Sequence, residues 1–313
     1  MKTKITTHQL NFLLEYILAN FETYGPRKIE GKLTFVKIDA PNNLDLSGRK
    51  TPLSFKKILT PNKIDAQEII TDRKIAFLAL PDCDVKALEI LLNQFPEGVR
   101  PKKENILVMG VTCRPDKFCF CDKFDQKKPF WDLFLEEAGA DFNLYGNSIL
   151  AKKILDKTGI KYSPGELKNK KNDAEIFDQD ELKNLIGNRE KNLDFWQGIA
   201  DNCFGCGACT TVCPLCFCTR QEIYNKLDGS CTQCLNWDSC FAKRFSEVQN
   251  HYDLRPENVD RLYNWYHHKF VRAKEKNGDA LCTGCGRCIS ACPANLNINL
   301  ILKSLIERNK DEK

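Results

Sequence analysis

The sequence predicts a chain of mixed α+β and α/β class, with an α/β domain over residues 1–175 and a cysteine-built domain over residues 176–313. Three observations predict it. Strand-like apolar runs alternate with helical patterns through the first half. A polar stretch rich in breakers, Lys161 to Asp173, then interrupts the pattern as a linker would. After it one cysteine spacing occurs twice, as Cys203-x2-Cys206-x2-Cys209-x3-Cys213-Pro214 and as Cys282-x2-Cys285-x2-Cys288-x3-Cys292-Pro293. A chain of 313 residues has room for two domains and a sizeable core in at least one.

Thr7 to Asn20 repeats apolar positions at helical spacing, and Leu33 to Asp39 has the β-rich composition of a strand. Lys74 to Leu80 is a short apolar run closed by Pro81, which predicts a buried strand. A helix is expected from Asp82, capped by Asp82 or Asp84, with Val85, Leu88, Ile90, Leu91 and Leu92 on its buried side. Asn105 to Val111 reads as the next buried strand. Trp131 to Ala138 and Ile149 to Lys157 have helical patterns that stop at Gly139 and Gly159, where a left-handed residue would end a helix. This alternation argues for a partly parallel sheet. A charged helix from about Asp180 to Ile199 then delivers the chain to the first cysteine run.

Three thiols spaced this closely on a tight loop can reach three corners of one cubane. The fourth, followed by proline, is turned away from that loop. Paired runs of this spacing ligate two 4Fe–4S clusters, with each fourth cysteine serving the other cluster. The expected ligand sets are Cys203, Cys206, Cys209 and Cys292 for one cluster, and Cys282, Cys285, Cys288 and Cys213 for the other. The small residues Gly205, Gly207, Ala208, Gly284 and Gly286 allow backbone N–H groups to approach the sulfurs. Zinc would call for CxxC pairs without a proline-closed interval, and disulfides for an oxidising compartment. No signal peptide or membrane span is expected, so 17 cysteines point to metal in a reducing, cytoplasmic setting. Cys209-x3-Cys213-x2-Cys216 also has the spacing of a radical S-adenosylmethionine cluster. Cys209 and Cys213 are already used by a run that occurs twice, however, and no barrel-length α/β repeat follows.

Residues 216–279, between the runs, are expected to form a long helical insertion with an aromatic helix around Leu262 to Phe270. Tyr263, Trp265, Tyr266 and Phe270, with Trp237 upstream, are more aromatic surface than a domain little larger than its clusters should bury. Part of it is therefore expected to face a partner protein. Nine cysteines remain outside the two runs. Cys83, Cys113, Cys119 and Cys121 fall at or after the ends of predicted parallel strands and are candidates for a third cluster, the alternative being small core residues. Cys216, Cys218, Cys231, Cys234 and Cys240 form a second surplus group, candidates for one more cluster or a zinc. His267 and His268 read either as groups near a cluster or as packed residues.

CPLCFC (Cys213 to Cys218), WDSC (Trp237 to Cys240), RLYNWYHHKF (Arg261 to Phe270) and CTGCGRCISACP (Cys282 to Pro293) follow one another in that order. YGP (Tyr24 to Pro26), CDVKAL (Cys83 to Leu88) and CFC (Cys119 to Cys121) precede them. On these motifs the chain resembles the beta subunits of sulfhydrogenases, which are NAD(P)-linked NiFe hydrogenases, and the related iron–sulfur subunits of anaerobic sulfite reductases. It departs from the pattern at LPDCD (Leu80 to Asp84), where a GVRPCD-like turn is expected, and at Asp122-Lys123-Phe124-Asp125, which replaces a glycine-rich stretch. The Cys231-x2-Cys234 pair has no place in the pattern. The resemblance implies an electron-transfer subunit, one that relays electrons between a flavin-bearing subunit for NAD(P)H and the small and large subunits of the hydrogenase.

The residues themselves agree with a relay. No nucleophile with its base, no dinucleotide fingerprint and no phosphate-binding loop is present, and a net charge of +5 without a basic aromatic stripe does not predict nucleic-acid binding. The alternatives are an electron-transfer subunit of a sulfite or heterodisulfide reductase complex, a stand-alone iron–sulfur reductase of sulfur compounds, and an assembly protein with structural clusters.

Overall fold

Contacts divide the chain into two units, one of Met1–Leu59, Glu68–Lys117 and Gln126–Asp173, the other of Thr60–Gln67, Phe118–Asp125 and Ala174–Lys313. The computed structural model describes residues 1–59, 63–65, 73–94, 103–124, 130–167 and 176–310; Asp125 and residues 168–173 of the expected linker lie outside them.

In the first unit, β1 (Lys2–Ile5) leads into α1 (Thr7–Asn20). The helix starts at a capping box: Gln9 N–H donates to the Thr6 hydroxyl, and Thr6 N–H donates to the Gln9 side chain. Its stripe of Leu10, Leu13, Leu14 and Ile17 is buried. β2 (Glu22–Ile29) and β3 (Lys32–Lys37) form a hairpin. β4 (Ile75–Leu80), α2 (Asp82–Leu92) and β5 (Ile106–Val111) then form a β–α–β crossover. All six residues of β4 and all six of β5 are buried, as expected of central parallel strands covered on both faces. Neither Asp82 nor Asp84 caps α2. The N-cap position belongs to Pro81, and both acids sit inside the first turn, where the helix dipole favours them.

Residues 131–138 are not a helix. Leu133–Ala138 is strand β6, paired in a hairpin with β7 (Asp141–Gly146). Leu133 and Leu135 alternate into the core, and Gly139 (φ 72°) supplies the left-handed residue of a hairpin turn instead of a helix end. α3 (Ile149–Thr158) does end at a left-handed Gly159. The seven-stranded sheet has the order β1-β7-β6-β5-β4-β2-β3, parallel across β2–β4–β5–β6 and antiparallel elsewhere. Side chains of α1 and α3 share one core with Ala76, Leu78, Leu107, Met109, Leu133 and Leu135. The start of the expected linker belongs to this unit, since Ser163 exchanges two backbone hydrogen bonds with Lys2.

In the second unit the expected single helix from Asp180 is two, α4 (Gln179–Gly187) and α5 (Leu193–Asp201). The buried Asn192 amide donates to the carbonyls of Leu185 and Asn188, and so stabilises the break. Trp196 of α5, fully buried, is the centre of the core, with its ring 5.6 Å from Tyr263 and 5.0 Å from Tyr266. The insertion begins as sheet, not helix: β8 (Thr219–Asn225) and β9 (Cys231–Trp237) pair with each other, and β9 also pairs with the short strand Lys63–Asp65. α7 (Asn258–His267) runs through a π turn, His268–Arg272, into α8 (Ala273–Asn277). The aromatic helix does not depend on a partner to cover it. Trp265, Tyr266 and Phe270 are 6%, 3% and 1% exposed inside this unit, and the Tyr263 hydroxyl donates to the Ile186 carbonyl. α9 (Arg287–Ser290) and α10 (Ile298–Lys310) close the chain, and α10 packs Leu302 and Leu305 into the same core.

Candidate metal centre

Both cysteine runs fold as the same loop. Gly205 and Gly207 (φ 63° and 72°) are matched by Gly284 and Gly286 (φ 64° and 72°), left-handed positions that favour glycine. The first loop enters α6 (Ala208–Val212), and the second enters α9. In each the fourth cysteine comes at the end of the short helix, with the proline after it. Leu215 N–H donates to Cys213 Sγ and Leu296 N–H to Cys292 Sγ, both at 3.4 Å, and Gly205 N–H donates to Cys203 Sγ at the same distance.

Two neighbouring cavities are lined by these thiols. Cys203, Cys206, Cys209 and Cys292 line the first, together with Cys288; Cys213, Cys282, Cys285 and Cys288 line the second. The fourth cysteine of each run thus stands with the first three of the other. Burial pushes the thiols of Cys209 and Cys282 up to about 12 and that of Cys288 upward, with neighbouring sulfurs adding to the shift. Thiols so placed become anions when a metal replaces the proton. The donor set fits iron–sulfur clusters in a second respect. Trp265 lines both cavities and Thr283 the second, and the buried Trp265 indole N–H and Thr283 hydroxyl have no partner among the described residues. The inorganic sulfide of a cluster bound there would offer such donors an acceptor.

The loops are covered differently. Phe118 to Cys121 lies on the second: Phe120 N–H donates to the Gly284 carbonyl at 2.8 Å, and the Cys119 thiol donates to the Cys285 carbonyl at 3.8 Å. Cys285 is consequently buried. Its counterpart Cys206 is exposed, and the adjoining Phe204 is 72% exposed. The first loop is held from the side by Asn258, whose amide donates to the carbonyls of Ala200 and Cys203, and by Ser239 against Gly207.

Lys269 is the feature that sequence reasoning missed. It is 4% exposed, and its ammonium donates to Cys213 Sγ at 3.2 Å and to the Leu281 carbonyl at 3.0 Å while lying 5.1 Å over the Trp265 ring. Burial alone would lower its pKa, but the surrounding Cys213, Cys216 and Cys282 sulfurs raise it well above the usual lysine value. The signal was available, because Leu262, Trp265, Tyr266, Lys269 and Phe270 form one buried stripe with a lysine in it.

Cys83, buried in the first turn of α2, and Cys113, just past β5, belong to the first unit; Cys119 and Cys121 belong to the second. Cys231 and Cys234 point to opposite faces of β9, since three residues is an odd step along a strand, and one is exposed while the other is buried. Cys218 and Cys240 do meet. Their thiols hydrogen-bond, which lowers the pKa of Cys218, and both feel the charge of Lys269, as does Cys216. His268 packs its ring against Phe217, and burial pushes its pKa down to about 4.

Residues 202–296 match the 4Fe-4S dicluster domain family. Across 320 aligned positions the chain is 26% identical to Sulfhydrogenase 2 subunit beta of Pyrococcus furiosus, covering 91% of this chain and 92% of that protein. No solved structure matches. Among the described residues no helix is long and apolar enough to cross a membrane. Residues 202–296, which carry the thiol-lined cavities, thus match a 4Fe–4S dicluster domain, and the chain is similar over most of its length to a sulfhydrogenase beta subunit.

Proposed function

We propose that this chain is the iron–sulfur electron-transfer subunit of a sulfhydrogenase-like complex, relaying electrons between a flavin-bearing subunit for NAD(P)H and the small and large hydrogenase subunits. The observation that carries it is the pair of adjoining cavities, each lined by a complete set of four cysteines from both runs. Cys203, Cys206, Cys209 and Cys292 are the ligands of one cluster; Cys213, Cys282, Cys285 and Cys288 are those of the other. When bound, such clusters store and pass single electrons. The protein supplies the thiolates, the N–H donors that tune them, and aromatic packing that keeps water from the second site. The similarity to a sulfhydrogenase beta subunit supports the choice of complex.

The test is reconstitution. Purified without oxygen, the chain alone is expected to carry at least about eight iron atoms and to exchange electrons with artificial dyes. It should show no turnover of hydrogen, NAD(P)H or sulfite, whereas co-expression with the products of adjoining genes should yield one active complex. Turnover of sulfite or a disulfide by the single chain would replace the relay with a reductase.

A further inference from the structure

A buried ammonium is costly unless an anion faces it. Lys269 is placed where two such anions would be. Its side chain lines the second cavity and binds Cys213 Sγ directly, and its charge also reaches Cys209 of the first cavity. The backbone fixes it there: Leu281 N–H donates to the Lys269 carbonyl at 2.8 Å, and the Leu281 carbonyl accepts from the ammonium. The residue after Leu281 is Cys282, so one lysine is tied to ligand-bearing segments of both runs. The π turn at His268–Arg272 places it, since such turns shift which residues of a helix face inward.

We propose that Lys269 is a positioning residue that sets the reduction potentials of the two clusters: its positive charge stabilises the reduced form of each, most strongly that of the cluster held by Cys213, Cys282, Cys285 and Cys288. This rests on the two-cluster assignment above. Hydrogen bonds to ligand sulfur and nearby charge are among the levers that set such potentials. An electron added to either cluster increases the negative charge beside Lys269, so removing the cation disfavours reduction.

The experiment is an anaerobic potentiometric titration, followed by electron paramagnetic resonance, of the full chain and of Lys269→Met and Lys269→Arg. In Lys269→Met the iron content should stay at the wild-type value. The more affected centre should become at least tenfold harder to reduce, a shift of about 59 mV for one electron, and Lys269→Arg should recover most of it. Equilibria that change less than twofold in a fully loaded Lys269→Met protein would overturn the proposal and leave Lys269 as a structural tie to Leu281. Should Lys269→Met lose iron, wild-type chain grown on isotope-labelled lysine decides: the reduced cluster is expected to show hyperfine coupling to a lysine nitrogen, and absence of that coupling overturns the proposal. Wild-type chain with less than about eight iron atoms would instead count against the two-cluster assignment.

Discussion

The side-chain amide of Asn258 lies 2.7 Å from the carbonyl of Cys203 and donates to it. A residue at the start of α7 thereby holds the entry of a loop more than fifty positions earlier, and it also binds Ala200 at 3.1 Å. Asn258→Leu leaves two carbonyls without this donor and should cost about 1–3 kcal/mol. Under a mild chelator the first-site cluster signal should decay faster than in wild type and the second should not; equal decay of both would rule out this local role.

The glycine pairs predict an asymmetry. A methyl group at Gly286 would stand 2.1 Å from the Phe118 carbonyl oxygen, part of the backbone, whereas one at Gly207 would meet the movable Ser239 hydroxyl at 2.8 Å. Both alanines bear the left-handed penalty of roughly 1–2 kcal/mol, but only Gly286→Ala must displace a chain segment. Iron analysis should find about four atoms lost from Gly286→Ala and near-normal loading in Gly207→Ala. The reverse ranking would mean that the Phe118–Cys121 cover is not needed by the second site.

Removing the iron should affect the units unequally. The first has its own core around Leu13, Ile17, Leu78 and Leu107, while the core of the second adjoins both thiol-lined cavities. After chelation, hydrogen exchange should rise across Leu193–Asp201 and stay slow across Ile106–Val111. Simultaneous loss of protection in both would show that the first unit has no independent stability.

Much of this was legible in the residues. Thr7–Asn20 was readable because its apolar stripe runs at helical spacing over its whole length, and the ligand loops because the spacing is repeated with glycines at matching places. Leu133–Ala138 was not. Six residues are too few to separate periods of 2 and 3.6, and Gly139 serves a hairpin as readily as a helix end. The strands of the insertion escaped because β9 takes its second neighbour from Lys63–Asp65, a pairing that no local pattern announces. The aromatic helix looked too greasy to bury because Trp196, in a stretch read as a charged helix, was not counted as its partner.

The first site is the more exposed of the two, and a partner that docks there is expected to depend on Phe204. Phe204 stands next to Cys203 at the opening of that cavity, and Cys206 is exposed there. Phe204→Ala should leave iron content and dye reduction unchanged and lower partner-coupled turnover roughly tenfold, as loss of an interface anchor does. Unaltered turnover in the reconstituted complex would move the docking face elsewhere.

The exchange of fourth cysteines also bears on the order in which the two sites can be completed. The second cavity contains Cys213 and the first contains Cys292, so neither pocket exists while the ribosome is still producing the insertion. Until the chain reaches the second run, Cys203, Cys206, Cys209 and Cys213 wait without their complement. Neither set of four thiols can be complete before the second run is made, so a chain truncated anywhere between Cys213 and residue 282 is expected to bear the four thiols of the first run and no finished site.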